Sequence, residues 1–119
     1  MIHSGQAAAR LARIEEEREA GTLAVRYPEV EKIIVRMTHW QHGIKSIVRN
    51  RWFFPSSFAV FKMSCLSRDC VDGGFDMNRI ITEMIRSRSR ARTGELDCEG
   101  NESKACPAHV AYEIAIAYL

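Results

Sequence analysis

"VAYEIAIAYL", residues 110–119, decides how the rest of the chain is read. Val110, Tyr112, Ile114, Ile116 and Tyr118 fall on one side of an extended chain and Ala111, Glu113, Ala115 and Ala117 on the other. That is the period of a strand and not of a helix. With a single charge in its length, the segment belongs in the middle of a sheet, and the search moves outward for the strands that flank it.

Two stretches upstream share the period. "VEKIIVRMTHW", 30–40, concentrates β-branched residues at Ile33, Ile34 and Val35, and "IKSIVRNRWFF", 44–54, alternates Ile44, Ser46, Val48 and Asn50 against Lys45, Ile47, Arg49 and Arg51. With "QHG" as the turn they predict a hairpin; a short helix over 29–37, opened by Pro28, is the alternative. "FAVFKMSC", 58–65, predicts a third strand and "ELDC", 95–98, a short fourth before the last. Between them Asp76 is an N-cap residue, and Met77, Ile80, Ile81, Met84 and Ile85 make the stripe of an amphipathic helix that stops by Thr93-Gly94. A helix over residues 4–20, ended by Gly21, carries only the thin stripe Ala7, Leu11 and Ile14. It is suited to the surface, to a second copy, or to a mobile arm.

The expected fold is α+β: an antiparallel or mixed sheet of about five strands, one packed helix, an N-terminal helix, and a four-cysteine site of zinc-ribbon type at one end of the sheet. Residues 1–27 form the N-terminal helix or arm and residues 28–119 one domain, a size that suits a single core.

The chain's four cysteines come as two pairs, Cys65 with Cys70 and Cys98 with Cys106. Each pair begins where a strand ends, so a strand–helix–strand excursion brings the pairs to the same end of the sheet. Four thiolates complete a tetrahedron around Zn2+ and leave no open position, which defines a structural site. Asp72-Gly73-Gly74 beside the first pair, and Gly100 and Asn101 within the second, offer backbone N–H groups to the sulfurs. The spacings, C-x4-C and C-x7-C, differ from the two C-x2-C knuckles of a ribbon, so buried thiols, two disulfides and an iron–sulfur cluster stand as alternatives.

Charge is uneven. Residues 1–31 hold four Arg against six Glu (−2), 32–92 twelve Lys and Arg against four Asp and Glu (+8), and 93–119 one Lys against five acids (−4). The basic middle includes Lys45, Arg49 and Arg51 beside Trp52-Phe53-Phe54, and Arg86, Arg88, Arg90 and Arg92 in "RSRSRAR". Cations interleaved with aromatics suit RNA or single-stranded DNA, the second reading of function; their other use is to oppose a helix dipole and to fill a core.

A cysteine-dependent enzyme or redox protein is the third, with His109 as the nearest base to a thiol in sequence. His39 and His42 are weak ligand candidates, facing opposite ways on a strand. No phosphate-cradling loop, nucleophile elbow or metalloprotease helix is present. No apolar run reaches the roughly 18 residues of a membrane span. The acidic block Glu15–Glu17 argues against a targeting peptide, so a cytoplasmic setting, reducing toward thiols, is expected. The sequence therefore reads as a small non-enzymatic zinc domain acting as a binding or regulatory module. Its partner is a protein or a nucleic acid, with homodimerisation through residues 4–20 a further option.

Overall fold

The computed structural model describes residues 4–41, 44–66, 70, 73–99 and 106–119. Among these residues six strands and three helices follow in the order α1 (Ser4–Ala20), α2 (Leu23–Arg26), β1 (Val30–Gln41), β2 (Ile44–Phe53), β3 (Lys62–Ser64), β4 (Gly74–Asp76), α3 (Asn78–Arg86), β5 (Ala91–Asp97) and β6 (His109–Tyr118). Four strands make one antiparallel sheet in the order β2-β1-β6-β5, and β3 and β4 make a second, two-stranded one. The fold is α+β, as the periodicity predicts, and β6 lies inside the sheet. The strands divide four and two instead of forming one sheet.

The register explains why one face of the large sheet is the core. Ile33, Val35, Met37 and His39 of β1 stand opposite Ile116, Ile114, Tyr112 and Val110 of β6, and all eight are buried. Directly opposed residues share a face, so these pairs lay a continuous apolar row down the middle of the sheet. Over it pack Met63 and Phe75 from the β3–β4 pair, Met77 just before α3 with Ile81, Met84 and Ile85 within it, Leu23 from α2, and Ala59 and Phe61 from the connection after β2. Phe53 meets Phe61 edge to face at 5.0 Å. The helix alternative for 29–37 fails because β1 pairs with β6 from Val30 and with β2 as well from Ile33.

Three expectations are corrected. Residues 58–61 are not a strand: Ala59, Val60 and Phe61 are all buried in succession, which alternation cannot produce. Their backbone is instead held from other elements, Ala59 N–H by Gly21 O at 2.8 Å and Phe61 N–H by Asn78 Oδ1 at 2.7 Å. Helix α3 begins at Asn78, whose N–H donates to Asp76 Oδ1 at 2.9 Å, while Asp76 itself ends β4. The same helix stops at Arg86. Arg88 takes a left-handed conformation (φ 58°), and the N–H groups of Ser89 and Arg88 close onto Met84 O and Ile85 O at 2.8 and 3.1 Å, the paired bonds of a Schellman cap. With the chain turned so early, β5 gains length and runs Ala91–Asp97. The hairpin turn expected at His42-Gly43 lies outside the described residues.

Residues 21–24 are sewn to the 55–59 segment by Leu23 N–H to Ser57 O and Ala24 N–H to Pro55 O, and Leu23 is fully buried. Helix α1 lies outside this core, with Leu11 and Ile14 exposed and Glu16 paired to Lys62 at 3.0 Å.

Gly74 has φ +152°, and a Cβ there would meet Met63 O at 2.7 Å, across the β3–β4 pair. Gly21, at φ +73°, has nothing within 4 Å. Gly74→Ala is therefore expected to lower stability by about 2–3 kcal/mol and Gly21→Ala by about 1 kcal/mol. Urea midpoints give the comparison, and equal losses would contradict the packing described.

Candidate metal centre

Two antiparallel strand pairs present the four cysteines. The chain joining β3 to β4 carries Cys65 and Cys70; the chain joining β5 to β6 carries Cys98 and Cys106. The two connections meet at one end of the large sheet. There Cys98 N–H donates to Ala108 O at 2.9 Å, closing its own strand pair, and Glu99 N–H donates to Gly74 O at 3.1 Å, joining it to the other.

The four Sγ atoms lie within 4.8 Å of one another. Cys65 Sγ is 3.9 Å from Cys106 Sγ, and Cys70 Sγ is 3.5 Å from Cys98 Sγ. Each close approach therefore crosses from one strand pair to the other. None of the cysteines is in a disulfide, whose sulfurs would be about 2.05 Å apart. Cys98 is buried and the other three are half-buried at the margin of the core. Together the four can hold a metal ion.

The electrostatics fit that use. Burial, a hydrogen bond with Cys98 and the charge of Cys65 push the Cys70 thiol well above its ordinary range. Four sulfurs this close cannot all ionise in a partly dry pocket without a cation among them. A positive group does stand beside them. Arg49, on the inward face of β2, donates through Nη2 to Ser64 O at 2.6 Å, and its Nη1 is 3.5 Å from Ser64 Oγ. Ser64 immediately precedes Cys65. Burial and neighbouring Arg51 lower the Arg49 pKa, and Cys65 acts in the opposite direction. The guanidinium thus both holds the backbone entering the site and supplies charge next to it.

The other singled-out residues are dispersed. Arg51 lies over the Phe53 ring at 5.0 Å, Arg88 over Tyr118 at 5.4 Å, and Arg92 is 3.6 Å from Glu83. Arg86 and Arg90 are exposed, and the carbonyl of Arg90 accepts from Ile116 N–H. Because β2 and β5 are the two edges of the sheet, Arg49 and Arg51 are separated from Arg92 by three strand spacings, about 14 Å. The Lys45 side chain, and Asp72, Gly100 and Asn101, lie outside the described residues. His109 stacks on Trp40 at 6.3 Å on the outward face, away from the thiols' side of the sheet. Sequence reasoning placed the cysteines but missed Arg49 and Ser64 as their neighbours; the inward-facing charge at Arg49, in step with Ile47 and Phe53, was the available signal.

No protein-family model, no curated protein and no solved structure matches the chain. Among the described residues no helix is long and apolar enough to cross a membrane.

His39, also on the inward face, meets the Phe75 ring edge to face at 5.8 Å and is 4% exposed. Burial and the charge of Arg49 lower its pKa from 6.5 to about 4. The folded protein thus favours the neutral ring. This contribution is complete above pH 6.5 and is lost as pH falls from there through about 4, at most about 3 kcal/mol. Denaturation series over that range should show a flatter acid limb for His39→Gln than for the wild type; parallel limbs would mean that His39 is not the group responsible.

Proposed function

We propose that the protein is a small non-enzymatic domain built around one structural Zn2+ held by Cys65, Cys70, Cys98 and Cys106, and that it acts as a binding or regulatory module. The observation that carries this reading is the mutual distance of the sulfurs. Around a tetrahedral ion with Zn–S bonds of about 2.3 Å, neighbouring sulfurs sit about 3.8 Å apart. The cross-pair separations of 3.5 and 3.9 Å straddle that figure. A polynuclear iron–sulfur cluster puts two or more irons between its ligands and spreads them wider, so a single ion suits the 4.8 Å limit better.

Two strand pairs each lending two thiols to one ion is the arrangement of a zinc-ribbon site, with longer connections here. A closed shell of four thiolates leaves no position for substrate, which places the ion's role in structure. It pins the β3–β4 pair to the end of the β5–β6 pair. Four thiolates and Zn2+ carry a net charge of −2, of which Arg49 offsets one. A nucleic-acid ligand is the weaker reading, since the basic residues it needs stand on opposite edges of the sheet.

Native mass spectrometry of protein purified under reducing conditions should find one zinc per chain, and a fully folded metal-free protein would reject the proposal. Iron in its place would show thiolate charge-transfer absorption in the visible. Cys98→Ser should lose the ion and lower the melting temperature by well over 10 °C, since structural zinc contributes on the order of 10 kcal/mol. Arg49→Gln should weaken zinc about 10- to 100-fold in a competition titration with a chromophoric chelator, and Arg49→Lys less. Equal affinities in all three proteins would remove Arg49 from the site.

A further inference from the structure

The core covers one face of the four-stranded sheet and, among the described residues, leaves the other bare. Two rows cross the middle of that bare face. One runs Trp52, Ile34, Ala115, Ala91 from β2 to β5, and the next Asn50, Arg36, Glu113, Thr93. Trp52 is 47% exposed, and Ala115 and Ala91 are exposed as well. Bulk is divided along the first row, with the large Trp52 and Ile34 on β2 and β1 and the small Ala115 and Ala91 on β6 and β5. Charge is divided in the same direction, with Arg36 on β1 and Glu113, Glu95 and Asp97 on β6 and β5.

We infer that this face is the contact surface of a homodimer, in which two sheets pack face to face about a two-fold axis running along the strands between β1 and β6. Such an axis exchanges the two halves of each row. Ile34 of one copy then lies over Ala115 of the other, Trp52 over Ala91, and Arg36 over Glu113. Large side chains meet small ones, as sheet-on-sheet packing at about 10 Å requires. Within each chain Arg36 and Glu113 are already 3.9 Å apart, so the two pairs would close into a four-membered network of alternating charge. A two-fold axis across the strands through this row is disfavoured by the same residues, because it would lay Arg36 on Arg36 and Glu113 on Glu113. Twist between aligned sheets leaves the pairs nearest the axis, Ile34 with Ala115 and Arg36 with Glu113, in best register.

The available area suits a reversible dimer. Four strands by about eight residues give about 19 by 27 Å, on the order of 500 Å2 per copy before corrugation is counted, the small end of specific interfaces. A polyanion is the poorer occupant, since it would lie against Glu95, Asp97 and Glu113.

Sedimentation equilibrium of the full chain, purified under reducing conditions, at about 1 to 200 μM tests the inference. The wild type should rise from the mass of one chain to that of two. Ala115→Arg should remain at one chain throughout. Arg36→Glu should weaken association at least tenfold, and the double reversal Arg36→Glu with Glu113→Arg should restore it, with circular dichroism confirming that each variant is folded. Leu11→Lys, in the exposed stripe of α1, should leave the masses unchanged. A wild type that stays at one chain, a dimer that survives Ala115→Arg, or one lost in Leu11→Lys would each overturn the assignment. So would oligo(dT) quenching tryptophan fluorescence in the wild type while leaving Trp52→Ala unquenched.

Discussion

The pairing of β1 with β6 is the constraint from which the rest of the architecture follows. Each of these strands has both edges occupied over most of its length, so the backbone groups of residues 33–40 and 109–115 are flanked by strands on both sides. Their inward side chains face one another in matched pairs, and a slip of one residue would turn Ile33, Val35 and Met37 outward and bring Ile34, Arg36 and Thr38 into the core. Once that register is set, the ends of β5 and β6 stand where β3 and β4 can reach them. The cysteines converge because the β3–β4 connection is held against the end of the large sheet where β5 leads into β6, with Glu99 N–H donating to Gly74 O.

Much of this was legible because period two and period 3.6 are different arithmetic. The central strand, the β1–β2 hairpin and the buried stripe of α3 all declare themselves in the spacing of apolar residues. The failures are equally physical. At 58–61 consecutive buried residues imitate a strand, while the backbone bonds that replace a ladder come from Gly21 and Asn78, distant in sequence. At Arg88 a left-handed residue ends a helix where glycine would ordinarily announce the stop. A charged side chain can occupy that position because its guanidinium rests on the Tyr118 ring and the bonds it closes satisfy the helix's last carbonyls.

The candidate site was legible in part. Cysteine type and pairing pointed to a shared ion, but spacing carries no information about which strands are neighbours. Arg49 shows the limit. In the linear chain it belongs with Arg51 and the following aromatics; in the fold its strand's alternation turns it inward to the Ser64 carbonyl, next to Cys65. Trp52, one step out of phase, faces the opposite way. A motif of cations and rings in sequence is thus divided between two surfaces by the pleat.

The β3–β4 ladder has only three residue pairs, too few to persist alone in water. It contributes Met63 and Phe75 to the core and is tied at its cysteine-bearing end by Glu99 N–H to Gly74 O and by Arg49 to Ser64 O, whereas α3 is fastened at its far end by the Tyr118 hydroxyl, which donates to the carbonyls of Ser89 and Met84. Opening of the molecule is therefore graded. Amide hydrogens of the small ladder should exchange with solvent through local fluctuations, while those of β1 and β6 wait for global unfolding. Whatever fixes the four sulfurs sets the frequency of the first of these events and leaves the second nearly untouched until that corner has given way.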